Sequence, residues 1–222
     1  MGMTERLMNL YGCLYDHFGP QGWWPADTPF EVSIGAILTQ NTSWVNVEKA
    51  IENLKKSDLL APEKLHKIYH DELAALIRPA GYYNIKARRI KNFTDSLMTD
   101  FSGSLEVLFS LDLNRSRRWL LAISGIGPET ADSILLYAGN KPVFVVDAYT
   151  YRVLMRHGMI FGDESYDEVQ EILQKNLING VKLFNEFHAL LVVLGKNFCT
   201  KNNPRCASCP VKVKTGWKPV LQ

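Results

Sequence analysis

Long apolar runs are missing from this sequence. No stretch of its 222 residues approaches the roughly 20 apolar residues that a membrane span needs. Met1 to Leu10 carries Glu5 and Arg6 and no apolar centre, so no signal peptide is expected and the expected compartment is the cytoplasm. A strong charge of one sign is also missing. Against 25 Lys and Arg stand 23 Asp and Glu, a formal net charge of +2. A nucleic-acid partner then depends on where the charge lies, not on its total. Cysteines number four, and three of them cluster at Cys199, Cys206 and Cys209. In a reducing compartment such a cluster reads as a metal site before a disulfide. Cys13 stands apart on an apolar helix face and is expected to be a core thiol. The five histidines show no metal-ligand spacing of their own. Internal repeats, low-complexity segments and long linkers are absent.

What is there is an ordinary core-forming composition, 46% hydrophobic and 22% charged, with helical periodicity through most of its length. Thr28-Pro29 followed by Phe30, Ile34, Ile37 and Leu38 gives a cap, a first-turn proline and an apolar stripe. Val45, Ala50, Ile51 and Leu54 continue on a second helix, with Ser43 as a candidate cap. Ala87–Leu97, Ser116–Ala122, Glu129–Tyr137, Tyr166–Leu177 and Phe184–Leu194 also read as helices. Lys141 to Val146 has strand composition but no partner strand, so a buried connection is expected there. The fold expected is all-α. Lys86, Arg88, Arg89 and Lys91 form the clearest basic group, read either as a DNA-facing patch or as a solvated helix face.

The most informative segment runs from Leu120 to Ala131. One helix ends, Gly125-Ile126-Gly127 turns the chain, and Pro128 opens the next helix. Glycine permits positive φ and close backbone approach. The new helix offers unpaired N–H groups to an anion, of which a DNA phosphate is one, although a tight αα turn can also be purely structural. Nineteen residues past Pro128, Asp147 follows the apolar run Val145-Val146. It reads as an N-cap, as a carboxylate poised to stabilise positive charge, or as both.

The hairpin, its Gly-Pro and the downstream Asp147 resemble the helix-hairpin-helix glycosylase superfamily, which includes endonuclease III. The resemblance extends over almost the whole chain. Thr39-Gln40-Asn41-Thr42 resembles the family's segment beside the flipped nucleotide. Gly81-Tyr82-Tyr83-Asn84-Ile85-Lys86-Ala87 resembles its Gly-aromatic-Asn-x-Lys-Ala segment, and Cys199, Cys206 and Cys209 its iron–sulfur motif. The resemblance implies two helical domains with the active-site cleft between them. One is a six-helix barrel over 26–140 ending in the hairpin. The other is discontinuous, 1–25 and 141–222, and carries Asp147 and the cysteines. It implies double-stranded DNA with a damaged base as partner, contacted through Gln40, Tyr82, Lys86, Gly125, Gly127 and Thr130. Asp147 is then the catalytic carboxylate, supporting oxocarbenium character on the sugar and orienting or deprotonating water. A monomer is expected.

Two departures shape the expected chemistry. Bifunctional members carry a lysine two residues after the second hairpin glycine, where this chain has Glu129. A carboxylate forms no Schiff base, so a monofunctional glycosylase is expected. An acid in the first helical turn also suits the helix dipole whatever the function. Thr215 occupies the place of the family's fourth cluster cysteine, and three thiolates are too few for an all-cysteine [4Fe–4S] cluster. Another residue completes the set, Cys13 approaches in space, or the cluster is absent. Zinc is the lesser metal option.

Trp24 and Trp44, with Glu129, resemble the base pocket of the 3-methyladenine DNA glycosylase III branch, while Trp23 is expected in the core. Electron-rich rings attract a cationic alkylated purine by roughly 0.5–2 kcal/mol each. Tyr82 is placed as a wedge into the base stack, with Gln40 entering from the other side. The alternatives are a mismatch uracil or thymine glycosylase, a non-catalytic helix-hairpin-helix DNA-binding protein and, least of all, a redox protein built on the cysteines.

Overall fold

The structure is a computed structural model that describes residues 2–217. Its helices are, in order, α1 (Met3–Phe18), α2 (Pro29–Leu38), α3 (Trp44–Lys56), α4 (Pro62–Lys67), α5 (His70–Leu76), α6 (Tyr83–Phe101), α7 (Leu105–Ser110), α8 (Leu113–Ala122), α9 (Pro128–Ser133), α10 (Ala148–Arg156), α11 (Tyr166–Asn176), α12 (Val181–Asn197) and α13 (Pro210–Thr215). No strand occurs among the described residues, so the chain is all-α. No helix among them is long and apolar enough to cross a membrane. The chain divides into two compact units, Trp24–Lys141 and Met1–Trp23 with Pro142–Gln222.

In the unit Trp24–Lys141, α2 is the centre. Every residue from Phe30 to Leu38 is buried, Glu31 and Ser33 included, so the helix is enclosed on all sides. Its start is fixed by Thr28, whose hydroxyl accepts from the Glu31 amide at 3.1 Å. The Glu31 carboxylate accepts in turn from the Asp27 amide at 3.1 Å. Ser43 does stand at the N-cap of α3, but its side chain makes no capping bond. Around α2 pack α3, α6 and α9.

Lys86 corrects an expectation. The sequence assigns it to a DNA-facing surface, yet it is 1% exposed. Its ammonium donates to the carbonyls of Leu38 at 2.8 Å and Ala80 at 2.7 Å. These carbonyls close α2 and the 3₁₀ turn Arg78–Ala80, places where a helix leaves acceptors unpaired and where a cation suits the dipole. Lys91 serves α4 in the same way, donating to Leu65, His66 and Ile68 carbonyls. Of the four basic residues, only Arg88 is exposed.

In the other unit, α1 packs against α11, α12 and α13, and α10 packs against α12. Val143 to Val146 are buried without strand structure. Side chains replace the missing ladder. The Phe144 amide donates to Gln174 at 2.9 Å, and Gln170 donates to the Phe144 carbonyl at 2.6 Å. This is the side-chain satisfaction that buried backbone requires. It delivers Asp147, as a firmly held residue, to the start of α10.

Candidate active site

The hairpin between α8 and α9 is clamped from several directions. Arg117 on α8 makes a two-pronged ion pair with fully buried Asp132 on α9, at 2.8 and 3.1 Å. Ile123 and Ile126 anchor the turn in the core, and Asn92 donates to the Ser124 carbonyl at 2.9 Å. Gln40 donates to the Gly125 carbonyl at 3.1 Å and to Thr130 Oγ1 at 2.9 Å, while accepting from Arg89. Gly125 has φ +97°, and a Cβ there would lie 2.3 Å from Arg89 Cγ. The turn thus needs glycine for conformation and for space. Gly127 caps α9 with ordinary extended backbone, and Glu129 in the first turn of α9 is exposed. After Ser133 the helix widens into a π-helical turn, Ile134–Ala138.

Three of the expected DNA-contacting residues, Gln40, Gly125 and Thr130, therefore meet in one node. Tyr82 stands elsewhere in the same unit, immediately before α6. It is 70% exposed and held at φ 47°, ψ 31°, a conformation unusual for a bulky side chain.

Trp24 and Trp44 also come together, ring centroids 5.1 Å apart and nearly perpendicular, with Tyr137 5.3 Å from Trp24. Trp24 lies against Gly35, where a Cβ would meet its ring at 3.3 Å. The Trp44 indole donates to Glu48 at 2.7 Å. Trp24, Trp44, Glu31, Glu48, Glu52 and Lys55 line a pocket of about 290 Å³. Of the three carboxylates, Glu31 pairs with Lys55 and Glu52 with Lys56, both at 2.7 Å, and Glu48 is the one held by the Trp44 indole. Glu48 was not singled out in the sequence, although its i+4 spacing from Trp44 was the available signal. Trp23, expected in the core, is only half-buried, with the Lys196 ammonium 5.9 Å from its ring centroid.

Asp147 caps α10. Its Oδ1 accepts from the Thr150 amide at 2.7 Å, and Oδ2 lies 3.6 Å from His188 Nε2 on α12. Burial pushes its carboxyl up, but His188 and the Thr150 donors outweigh burial, so the net direction is below the ordinary aspartate value. Close packing brings His188 within reach. A Cβ at Gly195 would lie 2.4 Å from the Tyr149 ring, so glycine lets α12 approach α10. Edge-on packing against Phe144 orients the imidazole. Asp147 opens on a cavity of about 650 Å³ lined also by Tyr151, Arg152, Tyr166 and Lys201. His188 was missed by sequence reading, because a lone histidine in an apolar helix carries no signal of its own.

Residues 34–178, which hold both the hairpin and Asp147, match the HhH-GPD superfamily base excision DNA repair protein family. The chain belongs to that family. It is accordingly a DNA N-glycosylase. It is 49% identical over 210 residues to the Methanocaldococcus jannaschii protein named "Putative DNA repair glycosylase MJ1434", covering 94% of each chain. To Endonuclease III of Thermotoga maritima it is 30% identical over 184 residues, covering 83% of this chain and 81% of that one. Among solved structures it is similar to the H. pylori 3-methyladenine DNA glycosylase MagIII bound to 1,N6-ethenoadenine. The TM-score is 0.75 and the identity 34%, covering 88% of this chain and 98% of that one.

The glycosylase's cysteines lie in the unit that carries Asp147. Cys199, Cys206 and Cys209 line one cavity, together with Arg156, His157, Lys212 and Trp217. Arg156 Nη1 is 3.4 Å from the Cys199 sulfur, and the amides of Val211 and Lys212 bond the Cys209 sulfur. Such donors suit thiolates and the sulfurs of a bound cluster. The donor set therefore fits the [4Fe–4S] group that the resemblance implies, except at the fourth family position. The Thr215 hydroxyl donates to the Val211 carbonyl and accepts from the Trp217 amide, so it is committed to its own helix end. Cys13 is buried and donates to the Pro210 carbonyl at 3.5 Å. Burial, with the charges of Arg6 and Arg156, lowers the His157 imidazole to about 4.

Proposed function

We propose that this glycosylase is monofunctional and releases 3-methyladenine or a related alkylated purine, leaving an abasic site. The observation that carries the reading is Glu129, an exposed carboxylate on the first turn after the hairpin, where a lyase needs an amine. As the N-glycosidic bond breaks, its electron pair leaves with the base. The Asp147 carboxylate stabilises the oxocarbenium-like sugar, and water adds at C1′ and gives up a proton. An alkylated purine already carries positive charge and leaves readily. The crossed tryptophans, with the Glu48 carboxylate beside Trp44, favour a cation over a neutral base. Similarity to a protein named 3-methyladenine DNA glycosylase supports the same substrate class.

Duplex DNA is bound by a monomer, through phosphate contacts at the Gly125–Gly127 turn, with Tyr82 entering the stack. Affinity falls as salt rises. The test is base release from methylated and from uracil-containing duplex, with strand breaks scored before and after alkali. Release of 3-methyladenine with breaks only after alkali supports the reading. Breaks without alkali would overturn monofunctionality, and preferential uracil release would overturn the cationic substrate.

A further inference from the structure

We infer that His157 is the fourth ligand of an iron–sulfur cluster held by Cys199, Cys206 and Cys209. The four side chains line the same cavity. His157 is 8% exposed, and its Nδ1 is buried with no hydrogen-bond partner. Buried polar atoms are nearly always satisfied, so an orphaned imidazole nitrogen beside three thiols points to a missing ligand rather than to packing. Histidine is a competent donor to iron–sulfur centres, as in Rieske sites.

The two rival fourth ligands are otherwise engaged. The Thr215 hydroxyl is occupied on both sides, as donor and as acceptor. Cys13 points its sulfur at the Pro210 carbonyl and is not among the residues lining the cavity. Among the described residues no three His, Cys, Asp or Glu side chains are already gathered to hold a metal ion, so the site would have to close around a cluster.

The cluster so held has a structural consequence. His157 follows directly on α10, the helix that Asp147 caps. From α10 Arg152 donates to the Cys199 carbonyl at 2.6 Å, and Arg156 to the Thr200 carbonyl at 2.7 Å. The cluster would add a fixed point at the end of α10 opposite the catalytic carboxylate.

The experiment uses the full chain labelled with ¹⁵N-histidine, reconstituted anaerobically with ferrous iron and sulfide. Iron and sulfide are counted, and the reduced protein is studied by pulsed electron paramagnetic resonance. About four irons and four sulfides per chain are expected, with a strong ¹⁵N coupling from a directly bonded histidine. The His157→Cys variant should keep the full iron load and lose that coupling, while His157→Ala should lose at least half of its iron. A wild-type cluster without ¹⁵N coupling overturns the assignment. So does failure of the wild type to take up iron and sulfide together, or full loading of His157→Ala. The wild-type measurement decides the matter even where a variant fails to fold.

Discussion

Gln40 Nε2 lies 2.9 Å from Thr130 Oγ1 and 3.1 Å from the Gly125 carbonyl, so the residue just beyond α2 is bonded to a hairpin 85 positions away. Arg89 completes the node by donating to Gln40 and packing over Gly125. The polar side chain proposed to enter DNA is thus held by the same turn proposed to bind phosphate. Entry into the helix requires Gln40 to exchange these bonds for bonds to bases. Gly125→Ala should disturb both at once. Positive φ and the Arg89 contact make it destabilising by about 1–3 kcal/mol. Affinity for an abasic duplex should fall about tenfold, which corresponds to roughly 1.4 kcal/mol. Urea unfolding and fluorescence anisotropy check the two parts separately. A variant with native stability and native affinity would show that the turn tolerates a side chain.

Lys86 gives the opposite expectation for a basic residue in a DNA-binding protein. Its ammonium closes the ends of two helical segments from inside the core. Lys86→Met should cost about 2–4 kcal/mol by leaving two buried carbonyls unpaired. The slope of DNA affinity against salt should stay unchanged, because no phosphate contact is lost. Burial and the nearby Arg89 charge lower the Lys86 pKa to about 8. The unfolded chain then holds a proton between about pH 8 and 10.4 that the folded chain has released. This group's contribution to stability should rise with pH across that window, and the rise should vanish in Lys86→Met. Thermal melts of both proteins at pH 8 and pH 10 measure the difference.

Much of this was legible because it is local or periodic. The cap at Thr28, the Gly-Ile-Gly turn and the apolar stripe of α2 are written in adjacent residues. The buried connection before Asp147 followed from an apolar run without a pairing partner. What the sequence hid depends on where other elements end. Lys86 reads as surface until the Leu38 and Ala80 carbonyls are seen pointing at it. His188 reads as a core residue until close packing at Gly195 brings it to Asp147. His157 carries no spacing motif with the cysteines, because it lines their cavity from beyond the end of α10. Short helices α4, α5 and α7 were also unread, being too brief for a periodic signal.

Tyr82 separates stability from function. A tyrosine in the left-handed region costs on the order of 1 kcal/mol, a cost that glycine avoids. With 70% of the residue exposed, little packing offsets it. Tyr82→Gly should therefore leave stability equal or slightly higher. If the ring fills the gap left by a flipped base, base release should slow by tenfold or more, since unstacking costs a few kcal/mol. Opposite movement of melting temperature and turnover is the signature. Unchanged turnover would remove the wedge role and leave the strained backbone without a function.

Asp147, with His188 beside it, is expected to set the acid limb of the proposed reaction. Asp147→Asn keeps size and an acceptor for the Thr150 amide but removes the charge. Base release should fall about 10²-fold or more with the fold intact, the scale of lost transition-state electrostatics. In the wild type the Asp147 pKa is lowered, so the ionised form persists below the ordinary carboxylate range. Its stabilising contribution is present above the unfolded aspartate value and is lost as pH falls through the folded one. His188→Gln removes the imidazole 3.6 Å from Asp147 Oδ2, and burial then acts against the Thr150 amide bond alone. The acid limb of single-turnover base release should move to higher pH in this variant, while the alkaline side stays in place. A limb that did not move would mean that His188 shapes the pocket without holding the charge of Asp147.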